Sequence, residues 1–338
     1  MAQVHSQITS RVRRAAVLTS GSLLVAALLA PVAAGPSLAQ SPSGAPDCGP
    51  ASTTGNYDGW PQAGQVTANG NLVPVVVSSQ NVAGPPTRFA FALVDPQNKP
   101  LSSATVATKV RFFSLTQDPA NPVATGDGTF LDVGDGRGFY HVPVTFPCAG
   151  DWGFEVTAGL PTGTVGARVI FSVLPYGTTP AIGSPAPASD TPTATTPDGI
   201  AAISTDKHPD ADFYTTSIAG AVASGKPAFI IFATPAFCQT AMCGPTLDIV
   251  KGVAADYKDR VDFVHVEPYQ LQQTPNGLQP VLTTAGYLQP VQAVLDYGLP
   301  TEPYMFLTDA TGHIAAKVEG IAGADEIRAA LDAVLAGG

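Results

Sequence analysis

Apolar and polar residues alternate with a period of two along the first half of the chain, from about residue 72 to residue 174. The clearest runs are 106–112, 140–146, 152–156 and 167–173, where every second side chain is apolar. Successive side chains of a β-strand point to opposite faces, so each run predicts a half-buried strand. Turn-forming residues separate the runs. About seven short strands at this spacing predict an all-β sandwich.

The pattern changes in the second half, where apolar runs alternate with helical stripes. Ala228–Phe232 is continuously apolar, as a central strand covered on both faces requires. The order β-α-β-α-β-β-α predicts a mixed sheet covered by helices. The further elements that this pattern predicts are a short helix at 218–222, a helix at 247–257, strands at 261–267, 304–307 and 313–318, and helices at 291–297 and 327–335.

A segment rich in Pro and Thr, with no periodicity, separates these two patterns and predicts a linker. The predicted organisation is therefore a signal peptide at 1–39, an irregular lead-in at 40–60, an immunoglobulin-like β-sandwich at 61–175, a linker at 176–200 and a C-terminal domain at 201–338.

The first 39 residues have the order of a secretory signal peptide. Arg11, Arg13 and Arg14 precede an apolar run, and small residues around Ala39 form a cleavage site. The alternative is an uncleaved anchor helix, but Pro31 and the small-residue site favour cleavage. We therefore expect an exported protein, extracellular or in the cell envelope, with no stable membrane span after cleavage.

Charge excludes two classes of partner. The whole chain has a net charge of −10, and removal of residues 1–39 takes away three Arg and no acidic residue, which leaves −13. Such a surface repels phosphate backbones and anionic lipids, so binding to nucleic acid or to a membrane surface is not expected.

The four cysteines form a distant pair and a close pair. Export favours disulfides over free thiols. A Cys48–Cys148 disulfide would tie the lead-in to the end of a strand, the alternative being two free thiols. Cys238 and Cys243 are five positions apart. In a regular helix their Cα atoms would be about 8–9 Å apart, beyond the roughly 7 Å limit for a disulfide, so either Cys238 lies in the loop before the helix or the pair cannot close. We expect the loop, because Pro235 and the end of the strand disfavour an early helix.

Three motifs of the second half resemble those of the thioredoxin superfamily over about residues 205–338. They are Phe232-Ala-Thr-Pro-Ala-Phe-Cys238, the run Tyr297-Gly-Leu-Pro-Thr-Glu-Pro303, and Pro245 in the helix after the cysteines. The resemblance implies an α/β thioredoxin-like fold, with Cys238 and Cys243 as catalytic thiols and Pro303 as a cis-proline. It also implies that Phe237 and Glu302 contact substrate, and it calls for no cofactor.

The cysteine spacing departs from the family pattern, because four residues separate the two cysteines where the family has two. A second alignment matches Cys243-Gly244-Pro245-Thr246 to the family's Cys-Gly-Pro-Cys motif. In that alignment Cys243 is the nucleophile, and Cys238 is its resolving partner or is not used.

The first half resembles immunoglobulin-like modules of bacterial envelope proteins around residues 138–156. This resemblance implies a scaffold or an interaction module for a protein partner, with no chemistry of its own.

We therefore expect an extracytoplasmic thiol–disulfide oxidoreductase that acts on protein or small-molecule thiols and disulfides. The alternative is a redox-inactive binding or adaptor protein in which Cys238–Cys243 is a structural disulfide. A third hypothesis is copper handling, with His265 and the two cysteines as soft ligands. That hypothesis ranks last, and no metal site is predicted.

Overall fold

The computed structural model describes residues 46–49, 55–68, 71–134, 137–239 and 242–337, which belong to one compact body. The predicted signal peptide lies outside the described residues, as do parts of the lead-in. The domain boundaries given above stay predictions.

The described residues of the N-terminal region, residues 67–174, contain ten strands. The strands predicted from alternation correspond to β5, β8, β9 and β10. The ten are β1 (Thr67–Ala68), β2 (Val73–Val76), β3 (Asn81–Val82), β4 (Pro86–Val94), β5 (Thr108–Ser114), β6 (Ala124–Asp127), β7 (Thr129–Gly134), β8 (Arg137–Thr145), β9 (Gly150–Leu160) and β10 (Gly163–Leu174).

These strands form two sheets that pack through aromatic side chains. One sheet has the order β1-β10-β9-β5-β6, with β3 also paired to β10, and the other has the order β2-β4-β8-β7. The ring centroid of Phe89 on β4 lies 4.9 Å from those of Phe112 and Phe154 on the facing sheet. Alternation produces this core because every second residue of each strand faces the other sheet.

A disulfide joins Cys48 to Cys148 at one end of this core, with Cα atoms 5.1 Å apart. Both cysteines are buried, and the Cys48 N–H donates to the Ala149 carbonyl at 2.8 Å. The indole of Trp152 donates to the Cys148 carbonyl. The bond therefore fixes residues 46–49 against the start of β9.

The C-terminal region, residues 177–337, contains six strands and five α-helices among the described residues, together with a 3₁₀ helix at Ala211–Tyr214. They are α1 (Pro197–Ala201), α2 (Ile218–Val222), β11 (Ala228–Phe232), α3 (Cys243–Ala254), β12 (Asp262–Val266), β13 (Leu271–Thr274), β14 (Gly277–Pro280), α4 (Gln292–Asp296), β15 (Tyr304–Thr308), β16 (Ile314–Glu319) and α5 (Ala324–Gly337).

Four of these strands form a sheet in the order β12-β11-β15-β16. Strands β11 and β12 are parallel, while β15 is antiparallel to both β11 and β16. Helices α3 and α5 pack on one face through Leu247, Val250 and Leu331. Helices α2 and α4 pack on the other face. All five residues of β11 are buried, which explains its uninterrupted apolar sequence.

The segment predicted as a linker packs against this sheet. Ala186 is buried, its N–H donates to the Gly312 carbonyl, and Pro185 forms an isolated bridge with His313. The Ser189 hydroxyl donates to Asp296 at 2.6 Å. Contacts of this kind require a fixed path for the chain, which composition alone did not indicate.

The predicted fold class, an immunoglobulin-like sandwich followed by an α/β thioredoxin-like fold, is wrong. Of the described residues, 37% are in strands, which form several sheets, and 16% are in helices. The described part of the chain is therefore mostly β, and an α/β thioredoxin-like fold is not shown. Helices α1, α2 and α4 have only five residues each. Gly225 and Gly298, both at positive φ, follow α2 and α4 closely and stop these short apolar stripes from becoming long helices.

The segment between β12 and α4 contains further β structure, although the sequence pattern predicted no element there. Strands β13 and β14 form a hairpin around Pro275-Asn276-Gly277, with Gly277 at φ 87°. Residues 268–295 contain no charged side chain, although the whole chain is acidic. Asn-Gly between short apolar and polar runs is a strong hairpin signal.

No helix among the described residues is both long enough and apolar enough to cross a lipid bilayer.

Candidate functional site

The predicted site residues meet at one edge of the β12-β11-β15-β16 sheet. Because β11 and β12 are parallel, the residues after Phe232 and after Val266 emerge at the same edge. Strand β15 is antiparallel to β11 and places Tyr304 opposite Phe232. The residues before β15, Glu302 and Pro303, therefore arrive at the edge from which the chain continues towards Cys238.

Cys238 and Cys243 form a disulfide with a Cα–Cα distance of 5.9 Å, inside the range that a disulfide permits. Helix α3 begins at Cys243, and Cys238 lies in the chain before it. The loop position expected for Cys238 is confirmed. The helix N-terminus, however, belongs to Cys243 and not to Cys238.

The two sulfurs differ in accessibility. Cys243 is completely buried, whereas Cys238 is half-buried. The Cys243 N–H, one of the donors left unpaired at the start of a helix, donates to the Cys238 Sγ at 3.2 Å. After reduction the same donor and the helix dipole would stabilise a negative charge on the Cys238 sulfur. Cys238 is therefore the more exposed of the two cysteines, and Cys243 is the shielded one.

The peptide bond between Glu302 and Pro303 is cis, as the sequence motif predicts. Pro303 is buried, and its carbonyl accepts the Gly320 N–H at 2.9 Å. Glu302 is also buried, and its Oε1 accepts the N–H of Gln239, the residue after Cys238, at 3.3 Å. This hydrogen bond joins the cis-proline segment to the chain between the cysteines.

The second carboxylate oxygen of Glu302 accepts the Tyr269 hydroxyl at 2.8 Å. Burial and this bond to a carboxylate raise the pKa of Tyr269 above its ordinary value. The Gln239 side chain completes the group by donating to the Tyr269 hydroxyl. Glu302, predicted to contact substrate, is therefore held by neighbouring side chains and backbone, while Phe237 is half-buried in the turn at residues 235–237.

A second polar group supports the turn that precedes Cys238. The Ala236 N–H donates to the Thr205 hydroxyl at 3.2 Å, and that hydroxyl donates to Glu267 Oε1 at 2.6 Å. The Thr205 N–H donates to the same oxygen. Glu267 is buried, and its Oε2 has no hydrogen-bond partner in the described part of the chain.

Sequence reasoning missed Gln239, Tyr269 and Thr205 as site residues. Tyr269 follows the predicted strand at 261–267, so its position at the strand's carboxyl end was a usable signal. Nothing local marked Thr205, which lies 31 positions before its partner Ala236.

His265 is buried between two hydrogen-bond partners. Its Nδ1 pairs with the Tyr214 hydroxyl at 2.8 Å, and its Nε2 pairs with the Ala233 carbonyl at 2.9 Å. A carbonyl can only accept, so Nε2 carries the proton and Nδ1 accepts from the tyrosine. Burial lowers the pKa of His265. Both ring nitrogens are engaged, and no cluster of three metal-ligating side chains occurs in the described ranges.

Comparison with known proteins adds little to this geometry. No protein-family model matches the chain, and no curated protein matches it. The chain is similar to the solution structure of the PKD domain from human VPS10 domain-containing receptor SorCS2, at 15% identity over 39% of this chain and 95% of that one, with a TM-score of 0.17. At that TM-score the similarity carries no argument about function.

Proposed function

We propose that this protein is an extracytoplasmic thiol–disulfide oxidoreductase that exchanges disulfides with thiols through Cys238 and Cys243. The observation that carries the proposal is the asymmetric disulfide: Cys238 is half-exposed and receives the Cys243 N–H, while Cys243 is buried at the start of α3. The proposal also draws on the resemblance of the cysteine and cis-proline motifs to those of the thioredoxin superfamily. It makes no claim about that family's fold.

The exchange is a two-step reaction with balanced electrons. A substrate thiolate attacks the accessible Cys238 sulfur, which breaks the Cys238–Cys243 bond and releases the Cys243 sulfur as a thiolate. A second substrate thiolate then attacks the mixed disulfide and frees Cys238. The substrate loses two electrons and becomes a disulfide, while both cysteines become thiols. In the reverse direction the Cys238 thiolate attacks a substrate disulfide, and Cys243 resolves the intermediate.

Disulfides persist in oxidising compartments, so the two bonds in this structure fit a protein that works outside the cytoplasm. This location, together with the signal-like N-terminus, is part of the proposal. N-terminal sequencing of the protein recovered from outside the cell or from the envelope is expected to begin near Gln40. Recovery of residues 1–39 on that material would contradict it.

A trapping experiment tests the exchange directly. In Cys243→Ser, the Cys238 thiolate is expected to attack substrate disulfides and to accumulate mixed disulfides, releasing the other half of each substrate as a thiol, because no second thiol resolves them. The matched variant Cys238→Ser should trap far fewer, because Cys243 is buried. Non-reducing electrophoresis and mass spectrometry identify the products. Equal trapping by the two variants would contradict the assignment of Cys238 as the accessible sulfur.

A redox titration separates this proposal from the adaptor hypothesis, in which the same bond is a permanent staple. A catalytic pair equilibrates with glutathione at a potential of about −120 to −270 mV, whereas a structural disulfide usually lies below about −300 mV. The titration follows Cys238 and Cys243 by differential alkylation in the whole protein. A potential below about −300 mV, with no trapping in either variant, would favour the adaptor.

A further inference from the structure

The N-terminal region contacts the C-terminal region beside the proposed reaction site. Arg88 on β4 donates to Glu326 Oε1 at 2.6 Å and to the Ile321 carbonyl at 3.0 Å. The Ser79 N–H donates to Glu319 Oε1 at 2.8 Å. These charge-assisted bonds fix the β2-β4-β8-β7 sheet against the chain that follows β16.

Apolar side chains from both regions fill the space behind these bonds. Ala90, Phe139 and Ile321 form a buried cluster, and Met242 packs against it. Ala90 and Phe139 belong to the N-terminal region, and Met242 immediately precedes Cys243. The cluster therefore brings the first region of the chain within one residue of the buried cysteine.

The packing leaves a cavity of about 100 Å³ at this junction. Val77, Ala90 and Phe139 line it from the N-terminal region, while Met242, Glu302 and Gly320 line it from the C-terminal region. Val77 and Met242 are only half-buried, so the cavity reaches the surface.

The cavity adjoins both cysteines along the chain. Met242 is the neighbour of Cys243, and Glu302 accepts the N–H of Gln239, the neighbour of Cys238. Glu302 thus borders the cavity and also contacts the residue next to Cys238.

The size and lining of the cavity select its occupant. An apolar cavity of about 150 Å³ admits benzene, so about 100 Å³ suits an aliphatic side chain but not an aromatic ring. Glu302 and Glu319 are among its lining residues, and acidic residues there disfavour an acidic side chain.

We propose that this cavity is a substrate subsite that binds the aliphatic side chain next to the reacting cysteine of a polypeptide. The N-terminal region then supplies one wall of the reaction site and contributes to its specificity. This inference rests on the proposed function, because it presupposes exchange at Cys238.

Activated disulfides test the subsite in the Cys243→Ser background. Three peptides carry thionitrobenzoate on their single cysteine, with Ala, Leu or Trp beside it, and the same derivative of glutathione serves as a small substrate. The release of thionitrobenzoate gives the rate. We expect the Leu peptide to react about 10- to 60-fold faster than the Ala peptide, the upper figure being that for full burial of its three further carbons. The Trp peptide should show no such gain.

Filling the cavity should remove the preference. Ala90→Leu is expected to bring the Leu peptide to the rate of the Ala peptide when both rates are expressed relative to that of glutathione. Ala107→Leu makes the same change at an exposed position before β5 and is the matched control. Phe139→Leu enlarges the cavity and should increase the rate of the Trp peptide.

The possible rate patterns distinguish failure of the subsite from failure of the proposed function. Equal rates for Leu and Ala peptides, with glutathione reacting normally, overturn the subsite and leave the proposed function intact. No reaction with any substrate overturns the proposed function and the subsite with it. If Ala90→Leu does not fold, Ala90→Val fills part of the cavity. Equal slowing of all substrates by the variant that folds also overturns the subsite.

Discussion

The two disulfides of this protein differ in loop length, burial and surroundings. Cys48 and Cys148 are 100 positions apart, both are buried, and they lie against Trp152 at the end of the aromatic core. Cys238 and Cys243 are five positions apart, and only one of them is fully buried. The first bond closes a long stretch of chain, and the second closes a single turn.

This difference indicates which of the two disulfides stabilises the fold more. The entropy that a disulfide removes from the unfolded chain grows with the length of the closed loop. A short loop with an accessible sulfur contributes less to stability, and it can open without unfolding the sheet behind it. We therefore expect the distant pair to be structural and the close pair to be reactive.

The largest expected effect is on stability. Replacing both Cys48 and Cys148 with Ser is expected to lower the free energy of unfolding by about 4–5 kcal/mol, whereas the same change at Cys238 and Cys243 should cost about 2 kcal/mol. Urea unfolding of both variants and of the parent protein measures the difference. The prediction is wrong if removing the Cys238–Cys243 disulfide lowers the free energy of unfolding as much as removing the Cys48–Cys148 disulfide.

A smaller effect is expected at the turn that carries Cys238. Thr205→Val keeps the side-chain shape but removes the hydroxyl that joins Ala236 to Glu267. The buried carboxylate loses one of its donors, and we expect a loss of about 1–3 kcal/mol in unfolding free energy.

The same variant should also make the Cys238–Cys243 bond react faster with dithiothreitol, because the turn is less firmly held. The rate of reduction of Cys48–Cys148 is the internal control and should not change below the unfolding transition. Equal acceleration at both bonds would show that Thr205 acts on global stability.

The pH dependence of stability tests the C-terminal region through His265, which is buried between Tyr214 and the Ala233 carbonyl. Burial lowers its pKa in the folded protein, so the unfolded chain binds a proton below about pH 6.5 that the native state does not bind. Stability therefore falls as the pH drops below about 6.5, by at most about 1.4 kcal/mol per pH unit for this group. Above that pH, His265 contributes no slope.

The free energy of unfolding of His265→Gln is measured with urea between about pH 5 and 7, a range that spans the ordinary His pKa. It should decrease less as the pH drops than that of the parent protein. Part of the fall should remain, because burial and the nearby Arg88 also lower the pKa of His141 in the N-terminal region. An unchanged slope would contradict the role of His265.

The smallest expected effect concerns the reactivity of Cys238. Its neighbour Gln239 is held by Glu302, whose negative charge opposes a thiolate. Glu302→Gln in the Cys243→Ser background is expected to speed alkylation of Cys238 at neutral pH by about 1.5- to 5-fold, the range that a modest charge interaction near the surface gives. Iodoacetamide kinetics measure it, and an unchanged or slower rate would contradict the prediction.

The sequence by itself determined the local elements. Alternating apolar residues placed β5, β8, β9 and β10, and the apolar run at 228–232 coincides with β11. The resemblance to the thioredoxin superfamily implied the cis peptide bond before Pro303, and the spacing of the cysteines indicated that Cys238 lies outside the helix if the pair forms a disulfide. The inferences from periodicity and spacing succeeded because strand period and helix geometry act over a few residues of one segment.

The contacts between these segments are evident only from the tertiary structure. It overturned the predicted fold class and packed the segment at 176–200 against the sheet. It also brought Thr205 to Ala236, and Ala90 to the cluster that contains Met242. Such contacts join residues from about 30 to 150 positions apart, and they depend on the shape of surfaces that form only when the chain has folded. No periodicity within one segment carries that information.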